Sequence, residues 1–304
     1  MKKISKICLV SLFVFFVIST FLLIQIFWHE NQQKFLEIVF LDVGQGDAIY
    51  IETPNGFKTL IDTGPNSMVV RSVAKHLPFY DKSIDLLLVT HSDSDHVGGA
   101  VEVLKRFEIN SFVQNSVVDN DALNTEIQKM IDEEKIDQYF LKSGDKIILD
   151  HEEEIYLEIL WPPDDHEESD NNDNSIVARL VYGEVRVMLT GDASLEIEEK
   201  IINALKNKKY STENDYLQSD ILKAGHHGSK TSTSLNFLQV TNPEFIIISA
   251  GKDNRFGHPH QEVLNNIEEY NKNKEQEEKI KTLETSVLGS IHFESDGESV
   301  WLVD

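Results

Sequence analysis

The chain has 304 residues, 40% of them hydrophobic, a formal net charge of −24 and a single cysteine, Cys8. That length and apolar content hold a substantial core, read here as one large domain, and the lone cysteine excludes an intrachain disulfide. The charge repels polyanions at long range, which excludes a nucleic-acid binder that works through a broad basic face.

Lys2, Lys3 and Lys6 precede a nearly unbroken apolar run from Ile7 to Trp28, interrupted by Ser11, Ser19, Thr20 and Gln25. As a helix the run covers roughly 30 Å, the thickness of a bilayer's hydrocarbon core. A cleavable secretory peptide has a shorter apolar region, roughly 7–15 residues, and a small-x-small cleavage site that residues 25 to 33 lack. The pattern predicts an uncleaved, single-pass transmembrane helix over residues 1–30. The lysines on its N-terminal side, with Trp28 near the other interface, place the N-terminus inside the cell membrane and the remainder extracytoplasmic.

After a polar linker, Glu30 to Lys34, residues 36–304 read as one domain. Strands are expected at Leu36 to Leu41, at Ala48 to Glu52 after the Gly44-Gln45-Gly46-Asp47 bend, and at Phe57 to Ile61 after Pro54-Asn55-Gly56. Helices are expected at Val69 to Leu77, Ala100 to Phe107 and Asn124 to Ile136, the last spaced by Ile127, Ile131 and Ile136. Ile147 to Leu149 and Ile155 to Leu160 read as strands, and Asp164 to Asn174 as an acidic, mobile loop.

Further on, Ile176 to Tyr182 and Val185 to Thr190 form a hairpin through Gly183, and Leu195 to Leu205 a helix. Ile221 to Ala224 and Phe245 to Ser249 are short buried strands. Gln261 to Lys281 reads as one long charged helix with a solvated face, and Thr282 to Leu288, Gly289 to Phe293 and Ser299 to Val303 as closing strands. Two β-rich halves with outer helices give an α/β (α+β) chain; periodicity alone does not choose among the folds of that class.

The densest chemistry lies in Thr90-His91-Ser92-Asp93-Ser94-Asp95-His96-Val97-Gly98-Gly99, directly after the apolar run Leu86-Leu87-Leu88-Val89. Two imidazoles and two carboxylates released at the end of a buried strand can converge on a divalent ion. Helix capping explains one aspartate in such a loop, and gives no reason for two histidines beside the pair. Other strands end in Asp62-Thr63-Gly64, Gly191-Asp192, Gly225-His226-His227-Gly228-Ser229 and Gly251-Lys252-Asp253-Asn254. Each alone is explained by a cap, a turn or a core histidine. Together they are not, because the carboxyl ends of strands are where such folds gather their chemistry.

These motifs resemble the metal motifs of the metallo-β-lactamase superfamily, in particular the branch fused to competence DNA-uptake channels (ComEC/Rec2). Phe40-Leu41-Asp42-Val43-Gly44-Gln45-Gly46-Asp47-Ala48 is similar to that branch's first strand and turn. Asn172-Asp173-Asn174-Ser175-Ile176-Val177 is similar to its asparagine-rich loop, and Gly257-His258-Pro259-His260 to its Gly-His-Pro motif. The resemblance runs from about Glu37 to the C-terminus. It implies a four-layer αββα sandwich, two divalent metal ions and metal-assisted hydrolysis. The general superfamily pattern is His-x-His-x-Asp-His with a later histidine. This chain, like the uptake branch, has Asp93 at the second position and Asn174-Ser175 in the later region. Harder oxygen donors there suit manganese or magnesium as readily as zinc.

By the same resemblance, His91 and Asp93 hold one ion, Asp95, His96 and His226 a second, and Asp192 bridges them. Spacing leaves both His226 and His227 open as ligand; the strand end at Ala224-Gly225 favours the first. Asp95 and Asp192 serve the reaction directly, and His258 is either a general acid and leaving-group stabiliser or part of a turn fixed by Pro259. Asn174, Ser175, His227, Ser229, Lys230 and Asn254 are expected to contact substrate, and Asp42, Gln45, Asp47 and Asp62 to buttress the ligands.

The substrate class so implied is a phosphodiester, single-stranded DNA among them, with Lys223, Lys230, Lys252 and Arg255 supplying local positive charge. Two alternatives stand beside it. One is hydrolysis of a small ester, amide or cell-envelope component; the other is a catalytically silent, membrane-tethered binding protein. β-Lactams fit the histidine pattern least. One transmembrane helix forms no conduit, so DNA uptake is not carried over.

Overall fold

The computed structural model describes residues 11–21, 34–117, 121–164, 171–206, 214–272 and 274–303. The chain divides into two compact units, Met1–Lys34 and Phe35–Asp304. In the first, residues 11–21 are helical and expose Leu12, Phe13, Phe15 and Phe16. The hydroxyls of Ser19 and Thr20 donate back to the Phe16 carbonyl at 2.9 and 2.7 Å. Among the described residues no helix is long and apolar enough to cross a membrane. The remainder of the Ile7 to Trp28 run lies outside the described residues.

In the second unit, runs of branched apolar residues build two sheets. The first contains β1 (Leu36–Phe40), β2 (Ile49–Glu52), β3 (Lys58–Ile61), β4 (Ser83–Leu88), β5 (Glu108–Gln114) and β6 (Asp137–Phe140). The second contains β7 (Lys146–Asp150), β8 (Ile155–Trp161), β9 (Val177–Tyr182), β10 (Val185–Leu189), β11 (Ile221–Lys223), β12 (Phe245–Ile248) and β13 (Lys281–Glu284). β14 (Ile291–Ser295) and β15 (Val300–Leu302) return to the first sheet beside β1. The spatial orders are β15-β14-β1-β2-β3-β4-β5-β6 and β13-β12-β11-β10-β9-β8-β7.

Both sheets begin antiparallel and then turn parallel, β3 through β6 in one and β10 through β13 in the other. Parallel neighbours need crossovers, and helices supply them. Met68–Val73, Ala100–Arg106 and Ala122–Glu134 serve the first sheet; Leu195–Lys206, Leu235–Thr241 and Gln261–Asn271 serve the second. Three apolar clusters follow. Phe40, Leu88, Leu157 and Val187 are among those that meet between the sheets. Val39, Tyr50 and Leu87 pack outward on Val69, Val103 and Ile127, and Met188 and Ile246 pack outward on Ile197, Leu238 and Val263. Burial on both faces explains why β12 reads as an unbroken apolar run rather than an alternation. Helix, sheet, sheet, helix is the four-layer αββα sandwich.

Some elements differ from expectation for local reasons. The helix expected over Gln261 to Lys281 stops at Asn271, whose side chain pairs with the backbone of Ile280 at 2.9 and 3.4 Å. A side chain bonding to backbone competes with helix continuation. The charged run then ends in β13, and the expected strand Thr282 to Leu288 splits into β13 and the short helix Thr285–Leu288. β5 and β6 carry little strand signal, because Asn110 and Ser111 interrupt one and the other is a mostly exposed edge. Within the expected mobile loop, Asn172–Asn174 is a 3-10 turn that buries Asn174.

Candidate metal centre

The centre forms where the carboxyl ends of strands from both sheets meet the β1–β2 loop. Asp62 ends β3 with a left-handed backbone, φ 58°, that turns its carboxylate toward the next strand. Its oxygens accept from the Thr90 amide at 2.7 Å, the Thr90 hydroxyl at 2.7 Å and Nδ1 of His96 at 2.8 Å. The carboxylate fixes the ring and leaves Nε2 of His96 facing Oδ1 of Asp192 at 3.2 Å. Asp93 precedes the helix Ser94–Val97 but makes no capping bond. Its carboxylate instead accepts from Asn171 at 3.1 Å and stands 3.9 Å from Nε2 of His91.

His91 is held from behind, its Nδ1 3.1 Å from the Thr90 hydroxyl and 3.2 Å from that of Ser175. Its Nε2 is buried with no hydrogen-bond partner. The Ser175 hydroxyl also accepts from the Asp192 amide at 3.0 Å, so one side chain positions two others. Nε2 of His227 lies 3.3 Å from His96 Nε2, 3.3 Å from Asp95 and 3.4 Å from Asp192. Asp47, His96, Asp192 and His227 each offer one ligand atom, and the four lie within 4.8 Å of one another.

Gly46 explains how Asp47 reaches that cluster. Its φ is +136°, and a Cβ there would sit 2.1 Å from the Asp95 carbonyl oxygen, so a side chain has no room. The Asp47 amide donates to that same oxygen at 3.3 Å. Beneath, Lys223 ends β11 wholly buried; its Nζ is 2.5 Å from Asp47, 3.6 Å from Asp192 and donates to the Gly191 carbonyl at 2.7 Å.

The electrostatics call for positive charge. Burial raises Asp47 and Asp192, yet both are held below the usual carboxylate range, Asp47 by Lys223 and His227 and Asp192 by His227 and His96. Burial lowers His96 and His227, but Asp192, with Asp62 or Asp47, raises both well above the ordinary 6.5. His91 goes the other way: burial and the neighbouring His96 keep it neutral. An orphaned imidazole nitrogen, converging carboxylates and a local demand for cations fit a divalent metal.

With that geometry in view, residues 41–251 match the family described as the metallo-beta-lactamase superfamily. The chain belongs to that superfamily. It is 30% identical over 277 residues to ComE operon protein 3 of Bacillus subtilis (strain 168), covering 84% of this chain and 33% of that protein. It is 32% identical over 234 residues to Recombination protein 2 of Haemophilus influenzae, covering 76% of this chain and 26% of that one. The second unit is therefore a ComEC/Rec2-type metallo-β-lactamase domain, and the chain spans a third or less of the length of these relatives. CmlA, a diiron beta-hydroxylase from Streptomyces venezuelae, shares the fold with a TM-score of 0.53 at 11% identity, covering 90% of this chain and 55% of that one.

Several residues of this metallo-β-lactamase centre stand elsewhere than the sequence suggests. Asp47, expected behind the ligands, is in the innermost cluster, as is His227, expected at the substrate. His226 is more open, 28% exposed at its side chain, with Nε2 3.7 Å from Asp192 and Nδ1 3.3 Å from the Thr231 hydroxyl. Ser175 and Asn174 are buried and face the ligands and Asn115, not an open cleft. Asn254 spends its amide on Gly251 and His258, and the Ser229 hydroxyl pairs with Thr231. Asp42 braces the Gly44 amide at 3.1 Å and Gln45 the Gly251 amide at 3.1 Å. Lys223 is buried and offers no charge to a substrate, whereas Lys230, Lys252 and Arg255 are exposed.

His258 stands at the mouth, its ring 5.7 Å from His226 and stacked on Phe256 at 5.7 Å. Burial, then His227, His226 and His260, lower it to about 4, so it is neutral near pH 7. Gln45 Nε2 lies 3.4 Å from its Nδ1, and with Gln45 donating, the ring proton sits on Nε2. A neutral donor suits hydrogen bonding to a leaving group better than full proton transfer. Asn115 and Asn171 carry no motif of their own; the apolar end of β5 is a sequence signal that Asn115 lies at the rim, and Asn171, in an acidic stretch, has none.

Proposed function

We propose that this chain is a metal-dependent phosphodiesterase acting on single-stranded DNA, held at the outer face of a membrane. The observation that carries the reading is the oxygen-rich donor set: Asp47, Asp93, Asp95 and Asp192 surround His91, His96 and His227. Such donors favour hard ions, manganese or magnesium as well as zinc, and hard ions pair with phosphoryl oxygens. His91, Asp93 and Asp192 would hold one ion, and Asp95, His96, His227 and Asp192 a second. When bound, the ions supply Lewis acidity toward a phosphoryl oxygen and lower the pKa of water. Asp95, 29% exposed at its side chain, orients the attacking water. His258 donates a hydrogen bond to the departing oxygen. Asp62, Thr90 and Ser175 hold the imidazoles in register. With Lys223 buried, nucleic-acid binding rests on the ions and on Lys230, Lys252 and Arg255, and is salt-sensitive.

Anchorage through Ile7 to Trp28 is part of the same proposal. It is supported by the apolar composition of that run and by the large apolar side chains that the described helical residues expose.

The test uses the full chain in detergent, loaded with Mn²⁺ or Zn²⁺ and offered a chromogenic phosphodiester, single-stranded DNA and a β-lactam. Both phosphodiesters are expected to turn over and the β-lactam not to. Asp192→Asn should cost more than about a hundredfold, beyond what loss of an outer partner costs. Turnover of the β-lactam alone, or turnover of phosphodiesters unaffected by chelation, would sink the reading.

A further inference from the structure

A second group of metal-ligating side chains lies at the opposite end of β1 from the loop that carries Asp47. In the strand registers, Glu37 stands directly opposite Glu294 on β14 and Glu52 on β2. Three carboxylates abreast on neighbouring strands repel one another. Glu52 is answered: it accepts from the Tyr50 hydroxyl at 2.6 Å and stands opposite Lys58 on β3. Glu37 and Glu294 converge instead on His292, which stands two residues from Glu294 on the same face of β14. Nε2 of His292 is 3.6 Å from Oε2 of Glu37, is shielded from solvent and has no hydrogen-bond partner. One ligand atom from each of Glu37, His292 and Glu294 lies within 4.8 Å of the others. His76 closes the side, stacked on Tyr50 at 5.6 Å and edge-on to His292 at 5.9 Å.

An ordinary His–Glu ion pair does not account for this arrangement. At 3.6 Å from Glu37, Nε2 of His292 is beyond hydrogen-bond reach, and no other group takes it up. One imidazole and two carboxylates on adjacent strands are a donor set for zinc, with the glutamates long enough to close on it and a fourth position left for water.

We propose that Glu37, His292 and Glu294 bind a zinc ion at a second site, separate from the Asp192 centre, that ties β1 to β14. The site stands whether or not the Asp192 centre cleaves phosphodiesters.

The test is equilibrium dialysis of the purified full chain against Zn²⁺, with bound metal counted by elemental analysis. Glu37→Gln, His292→Gln and Glu294→Gln are each expected to lose one zinc per chain relative to the unaltered sequence. Glu52→Gln removes the same charge from the same row without removing a ligand, and should keep the full count. Unchanged zinc in Glu37→Gln and Glu294→Gln overturns the proposal. Equal loss in Glu52→Gln also overturns it, since that marks diffuse attraction to an acidic surface. Thermal melts give a second reading: zinc should raise the midpoint of the unaltered chain by more than that of Glu294→Gln, and equal rises count against the site.

Discussion

Lys223 is 0% exposed, with its ammonium 2.5 Å from Asp47. Burial would lower its pKa, yet Asp47 and Asp192 raise it, so the charge stays and the pair is permanent. Removing one partner of a buried pair leaves the other charge stranded, at a cost of about 3–5 kcal/mol. Lys223→Met is expected to lose stability in that range by denaturant titration; a loss below about 1 kcal/mol would show that Asp47 is neutralised another way. This residue also marks a limit of sequence reading. His91, Asp93, Asp95 and His96 declare themselves because four ligating side chains crowd six positions. Lys223 reads as a charge offered to substrate and Asp47 as a brace behind the ligands, and only folding shows that the two form a buried pair. His227 is hidden for a similar reason: the strand end at Ala224-Gly225 favours His226, but the left-handed backbone at both, φ 45° and 55°, turns the second ring inward.

Among elements, the loop from β1 to β2 does most to shape the centre, because it delivers Asp47 against the backbone of the helix that carries Asp95 and His96. Gly46→Ala puts a Cβ into the Asp95 carbonyl and forces both loops apart. A destabilisation of about 1–3 kcal/mol is expected. Metal retention after dialysis should fall with it; an unchanged melt and unchanged metal content would show that the loops can slide. Most strands and helices were legible because their apolar spacing is set by burial against one sheet. The exceptions are elements whose partner lies outside their own segment. β5 and β6 gain strand character from β4 and from each other, and the helix from Gln261 stops where Asn271 meets Ile280, a contact invisible to periodicity.

At the scale of the whole molecule, stability should depend on pH and metal together. His96 and His227 have folded pKa values raised above 6.5, so their contribution is full below that value and is lost as pH rises through the folded values. Glu198, raised to about 7 by burial, has the same sign, since deprotonating it in the fold is unfavourable. Asp95, lowered to about 2, acts in the opposite sense and only in acid, well outside this window. His76, His91, His226, His258 and His292, which burial keeps neutral, add stability as pH rises through the unfolded value and no more above it. The EDTA-stripped chain should therefore melt at lower temperature as pH climbs from about 8 to 9, while the gain on adding metal grows because ligands must be deprotonated to bind. A metal-free midpoint that rises over that range contradicts the assignment.

The pairing of β1 with β14 has a further bearing. After seven strands in the second sheet the polypeptide comes back to lie against its own first strand, with β15 just beyond. The first and last strands of the second unit thus share one flank of one sheet. A body threaded this way can be spliced into a longer polypeptide as a cassette, or relinked end to end in a new order, without unpicking the layers that position its chemistry.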